Sequence, residues 1–113
     1  LTVRFLLLCL RAVVFQSEVE ETIRRLKSHR GVEGILIVNS EGQILKSTLT
    51  AEESAEHAAL LSQLASKARS IVRTLDASND LSFLRIRSKK NEILVAPDKD
   101  FLLIVIQNPH AEK

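Results

Sequence analysis

Between Leu81 and Asn108 the chain runs through three apolar stretches separated by two polar clusters, Ser88-Lys89-Lys90-Asn91 and Pro97-Asp98-Lys99-Asp100. Apolar runs bounded by turn-forming residues predict three β-strands joined by two hairpins. With two-residue connections, strand alternation places Phe83, Arg85, Arg87, Glu92, Leu94, Ala96, Phe101, Leu103 and Val105 on one face. Leu84, Ile86, Ile93, Val95, Leu102, Ile104 and Ile106 fall on the other. That second face is wholly apolar and is expected to be covered. The first mixes apolar positions with three charges and is expected to be covered only in part.

Upstream the period changes. Ser17, three residues before Glu20, predicts a capping box that opens a short helix with Ser17 as N-cap. Glu18, Glu20 and Glu21 precede Arg24, Arg25, Lys27 and Arg30, an order that complements the helix dipole and offers the i,i+4 pairs Glu20–Arg24 and Glu21–Arg25. Val19, Ile23 and Leu26 form a thin apolar stripe, and Gly31 is the expected C′ stop. The unbroken run Ile35 to Val38 predicts a strand covered on both faces. Asn39-Ser40-Glu41-Gly42 then turns the chain into a more polar strand, Gln43 to Thr48, expected at a sheet edge.

Thr50 with Glu53 predicts a second capping box and a long helix to about Leu75. Its stripe of Leu61, Leu64, Ala68, Ile71 and Leu75 is widened by Ala58, Ala59, Leu60, Ala65 and Val72. Such breadth exceeds what one sheet face requires, and the small Ala58, Ala59, Ser62, Ala65 and Ser66 permit close approach of a second helix. The pattern alone leaves two readings open, a well-buried core helix or a seam between two copies of the chain. The element order predicts an α+β single domain. It has a five-stranded, mostly antiparallel sheet, a short N-terminal helix and a long central one.

With 113 residues and 45% hydrophobic content, the chain has material for one small core. A net charge of +2 does not indicate nucleic acid, and with 4% aromatics and no Trp or Tyr a stacking platform for single strands is not expected. The single Cys9 cannot form an internal disulfide, which fits a reducing compartment. Residues 1–16 stand apart from the rest. Their apolar run, Phe5 to Leu10, is far shorter than the roughly 20 residues of a membrane helix, and no clear small-residue cleavage site follows it. They are expected to be an extension, with a targeting segment or an added helix as alternatives. The domain is expected over 17–110, followed by a tail at 111–113.

His29, His57 and His110 lie on different elements without metal-ligand spacing, and Gly31, Gly34 and Gly42 lack the spacing of a phosphate loop. No nucleophile–base arrangement stands out. Asp98-Lys99-Asp100 is too short for a calcium loop of about 12 residues and reads as a turn. No cofactor, metal or enzymatic activity is therefore expected. Arg85, Arg87, Lys89 and Lys90 read as an anion-binding patch or as charges that keep an exposed hairpin from mispairing, with partner contact as a third use, and the second reading is favoured.

The runs FLRIRSKKNEI (Phe83 to Ile93), VAPDKD (Val95 to Asp100) and LIVIQNP (Leu103 to Pro109) resemble the roadblock-type light chain of dynein. So do EVEETIRRLKSHRGVEG (Glu18 to Gly34), VNSEG (Val38 to Gly42) and KARSIVR (Lys67 to Arg73), and the resemblance spans about Ser17 to Pro109. It implies a non-catalytic homodimer whose two sheets join edge to edge, with the long helices packed across the two-fold axis. It further implies binding to the dynein intermediate chain and a place in microtubule-based transport, in the cytoplasm or the ciliary axoneme. Other roadblock-fold proteins are scaffolds that regulate small GTPases, which is the alternative function. The sequence departs from the dynein branch between Thr48 and Leu60, where Ala51-Glu52-Glu53-Ser54 and His57 replace a Thr-rich stretch with a Pro and a common aromatic. A proline often found after the glycine is also absent at Gln43-Ile44-Leu45. These differences leave the paralogue and cargo class open.

On this reading Leu61, Leu64, Ala65, Ala68 and Ile71 form the dimer seam. The short first helix is not expected to cover the whole charged sheet face. A strip containing Phe83, Leu94, Ala96 and Leu103, rimmed by Arg85, Arg87 and Glu92, is expected to stay open as a docking site for an intermediate-chain segment.

Overall fold

A computed structural model describes residues 16–98 and 100–108. The extension up to Phe15, the Val19 side chain, Lys99 and the tail at 111–113 lie outside the described residues.

The first helix, α1 (Gln16–Lys27), already includes Ser17, so Ser17 is not the non-helical N-cap that a capping box requires. Of the two expected ion pairs, Glu21–Arg25 forms at 3.5 Å, whereas Glu20 reaches Lys46 at 3.2 Å instead of Arg24. These pairs are well exposed and contribute at most about 0.5 kcal/mol each. The anchor of α1 is Leu26, which is fully buried, with Ile23 packed against the same cluster. The helix also stops short of Gly31. It ends at Lys27, where the N–H groups of Ser28 and His29 bond to the carbonyls of Arg24 and Leu26. Gly31, with φ 91°, is the third residue of a turn closed by the Val32 N–H on the His29 carbonyl, a position that favours glycine.

Strand β1 (Val32–Asn39) is buried from Gly34 to Val38, as its unbroken apolar run predicts. The chain turns into β2 (Ile44–Ser47) through Ser40, Glu41 and Gly42. Asn39 organises this turn, its Oδ1 accepting from the N–H groups of both Glu41 and Gln43. The long helix α2 (Ala51–Leu75) opens on the predicted cap: the Thr50 hydroxyl oxygen accepts from the Glu53 N–H at 3.2 Å. That hydroxyl in turn donates to the Glu53 carboxylate at 2.8 Å. Strands β3 (Leu84–Arg87), β4 (Glu92–Pro97) and β5 (Phe101–Gln107) follow. Both hairpins are two-residue connections, closed by Ser88 N–H to Asn91 carbonyl and Asp98 N–H to Phe101 carbonyl.

The sheet order is β2-β1-β5-β4-β3, and every neighbouring pair is antiparallel. The registers Arg85 opposite Leu94, and Leu94 opposite Val105, give the face assignment predicted from alternation. Each face carries its own core. On the α1 side Leu26, Ile35, Ile37, Leu94, Ala96, Leu103 and Val105 cluster; on the α2 side Leu36, Val38, Ala58, Leu61, Ala65, Val95 and Ile104 do. Fully burying one such aliphatic side chain stabilises by about 1.5–3 kcal/mol.

Coverage departs from the expectation on both faces: each is buried at its centre, and each is only partly covered towards β3. Leu94, Ala96 and Leu103, expected to remain open, have no exposed surface because they pack into the cluster with Leu26. On the wholly apolar face, Leu84, Ile86 and Ile93 are only half-buried. Helix α2 lies mainly against β2, β1 and β4, which leaves the β3 side of its own face thinly covered.

Candidate functional site

Helix α2 has 25 residues, about 37 Å at 1.5 Å per residue. Strand β5 has 7 residues, about 24 Å. The helix therefore outruns the sheet beneath it. Its buried residues are Ser54, Ala58, Leu61 and Ala65, spaced four, three and four, and none follows Ala65. Short side chains let this stripe sit close to the sheet, where the Ser54 hydroxyl shares a hydrogen bond with that of Ser47 on β2.

The predicted seam residues divide accordingly. Leu61 and Ala65 belong to the chain's own core at 6% and 7% exposure, so they are not free for a partner helix. Ala68 is half-buried, while Leu64 and Ile71 are exposed. Leu60 and Leu75 join them at 60% and 83% exposure. At about 100° per residue, Leu60, Leu64, Ile71 and Leu75 occupy one narrow arc beside the buried stripe. The sequence contains that signal, but merging the two arcs into a single stripe hides it.

The second group lies on and beside β3, a sheet edge whose outer side has no strand partner among the described residues. Arg87 stands opposite Glu92, which stands opposite Gln107. Glu92 is buried, and its Oε1 accepts from the Gln107 amide at 2.7 Å. The Nε atoms of Arg85 and Arg87 lie 3.8 and 4.0 Å from the same carboxylate. Both arginines are about half exposed, and Arg85 sits over the Phe83 ring at 5.9 Å from its centroid. Phe83, Arg85, Arg87 and Glu92 are thus brought together as predicted, whereas Leu94 lies buried beneath them. Two cations beside one buried carboxylate offset the cost of removing that charge from water and leave the group net positive.

A cavity of about 230 Å³ opens between α2 and the loop ends, lined by Ser62, Ser66, Arg69, Gly42, Pro97 and Phe101. Its cation is already engaged, since Arg69 donates from Nε to Asp80 at 2.8 Å and from Nη2 at 3.1 Å. The hydrogen bond from Arg69, and then that from the Leu81 N–H, holds the Asp80 carboxyl below its ordinary value. Among the described residues no group of histidine, cysteine and carboxylate side chains is arranged to hold a metal ion, and no helix is long and apolar enough to cross a membrane.

A small antiparallel sheet thus carries a short helix on one face and, on the other, a long helix exposed along one apolar arc. The chain belongs to the Roadblock/LC7 domain family, whose family model matches residues 18–108. Solved structures share the fold. A Roadblock/LC7 domain from Streptomyces avermitilis superposes with a TM-score of 0.70 at 17% identity, covering 75% of this chain and 73% of its own. An MglB with a tetrameric arrangement gives 0.69 at 14% identity, covering 88% and 79%. The gliding protein MglB of Thermus thermophilus gives 0.64 at 16%, covering 81% and 69%.

Proposed function

We propose that the chain is a non-catalytic, homodimeric light chain of the dynein motor complex that binds the dynein intermediate chain and supports microtubule-based transport in the cytoplasm. The observation that carries the dimer is the exposed arc Leu60, Leu64, Ile71 and Leu75 beside the half-covered Leu84, Ile86 and Ile93. Exposed and half-covered apolar side chains in this number on a small domain are best covered by a second copy. Of the two sheet edges, β3 pairs with its neighbour without irregularity, while β2 carries a register shift beside Ile37 and Val38. A bulge discourages further pairing, so β3 is the edge that joins.

The motor assignment rests on the resemblance of the Phe83 to Ile93 and Leu103 to Pro109 runs to the dynein branch. A second reading is a scaffold that regulates small GTPases, which the shared Roadblock/LC7 family leaves equally open to test. Sedimentation of the purified chain is expected to give a dimer at micromolar concentration. Co-purification with intermediate chain, and not with a small GTPase in either nucleotide state, supports the dynein reading; the opposite pattern replaces it.

A further inference from the structure

We infer that Phe83, Arg85 and Arg87 form a recognition strip for an acidic peptide segment of the partner, a deepening that rests on the proposed homodimer joined along β3. Three observations carry it. Arg85 and Arg87 share one face of the edge strand, their side chains about 7 Å apart, and Phe83 stands just before the strand beside Arg85. The two guanidiniums are drawn to one spot, Arg85 by the Phe83 ring at 5.9 Å and both by the charge of the buried Glu92. Yet at 3.8 and 4.0 Å neither Nε is within hydrogen-bonding distance of that carboxylate, and the half-exposed side chains keep their donors for another acceptor.

Joining two β3 edges antiparallel about a two-fold axis perpendicular to the sheet keeps each face on its own side. Both α2 helices then meet across the axis on one side, and the Phe83–Arg85–Arg87 strips of both copies become neighbours on the other. Four arginines gather against only two buried Glu92 carboxylates, so the seam carries excess positive charge at its centre. Arginine forks match carboxylates two bonds at a time, which suits acidic side chains at every second residue of an extended segment. An anionic membrane would not need the regular spacing of the two guanidiniums. Occupancy of the strip relieves the repulsion between copies, so acidic peptide and dimerisation stabilise one another.

The test uses the full chain, isotope-labelled for NMR, and two synthetic probes, the peptide Ser-Glu-Val-Glu-Val-Glu-Ser and its counterpart with Gln for Glu. The arginine Nε–H signals of Arg85 and Arg87 are expected to shift saturably with the acidic probe, less at higher salt, and not with the neutral one. Arg85→Gln with Arg87→Gln is expected to weaken binding about tenfold or more, whereas Lys89→Gln with Lys90→Gln stays within about twofold. Arg87→Lys, which keeps the charge and lacks the fork, is expected to fall between them. Shifts confined to the Lys89–Lys90 turn, an equal response to the neutral probe, or a response to phosphatidylserine vesicles alone overturns the inference. Sedimentation of each variant separates the two levels. A monomeric wild type overturns the dimer, while a dimer that ignores the acidic probe overturns only the acidic partner.

Discussion

The hydroxyl of Ser54, buried on α2, shares a 2.5 Å hydrogen bond with the hydroxyl of Ser47 on β2. Ser47 also accepts from the Leu49 N–H at 3.0 Å, so one side chain ties the edge strand, the linker and the helix. Ser54→Ala is expected to destabilise the domain by about 1 kcal/mol, the usual net worth of such a bond. A lower urea midpoint with unchanged slope is the expected result, and an unchanged midpoint would show that the bond contributes nothing.

Leu61 and Leu64 are three residues apart on α2 and should respond differently to the same change. Leu61→Glu places a charge in the chain's own core and is expected to abolish folding. Leu64→Glu touches a side chain that is 41% exposed, so the chain is expected to keep its helical circular dichroism and sediment as a monomer. Similar behaviour of the two variants would show that the arcs are not separate.

The two arcs also show where sequence pattern stops being informative. Strand faces, hairpin lengths and the Thr50 cap are local properties, and alternation or a three-residue offset reveals them. Which sheet face a helix covers depends on its lateral position and crossing angle. Counting apolar residues on α1 suggests poor coverage, yet Leu94 is wholly buried; the broad stripe of α2 suggests full coverage, yet Ile86 is only half-buried. In the sequence Glu92 is visible only as a charge on a mixed face. Its burial depends on Gln107 and the two arginines, which are brought together by strand pairing.

Two glycines make opposite predictions. Gly42 adopts φ +86° with nothing within 4 Å of where a methyl group would stand, so Gly42→Ala is expected to cost about 1–2 kcal/mol from backbone strain alone. Gly42→Asn should recover part of that loss, because Asn tolerates the left-handed region. Gly34 has room for its backbone but not for a side chain, since an added Cβ would meet Leu49 Cδ2 at 2.5 Å. Leu49 is the flexible end of that contact, so Leu49→Ala is expected to rescue Gly34→Ala but not Gly42→Ala. Equal rescue of both in thermal melts would contradict this division.

Asp80 gives a pH dependence with a definite sign. Its carboxyl is held below the ordinary value by Arg69 and by the Leu81 N–H, so the folded state binds the proton less readily than the unfolded chain. The stabilisation is present above the unfolded value of about 3.9 and is lost as pH falls through the lower folded value. Asp80→Asn is therefore expected to be less stable than the parent at pH 7 and to converge with it in strong acid. A stability gap that persists unchanged down to about pH 2 would assign the difference to something other than this carboxylate.

The sheet order has a consequence for how the chain acquires its shape. Strand β5 stands in the middle, between β1 and β4, so the earliest strand finds its inner partner only in the last. The β5 side of β1 cannot pair until residues 101–107 have been synthesised, and closing so long a loop must precede the gain from that contact. Until then β1 has the bulged β2 on one side and the two helices over its faces, while its β5 edge stays unpaired. A chain paused on the ribosome before Phe101 therefore exposes the backbone of one β1 edge, the place where a foreign strand could add itself before β5 arrives.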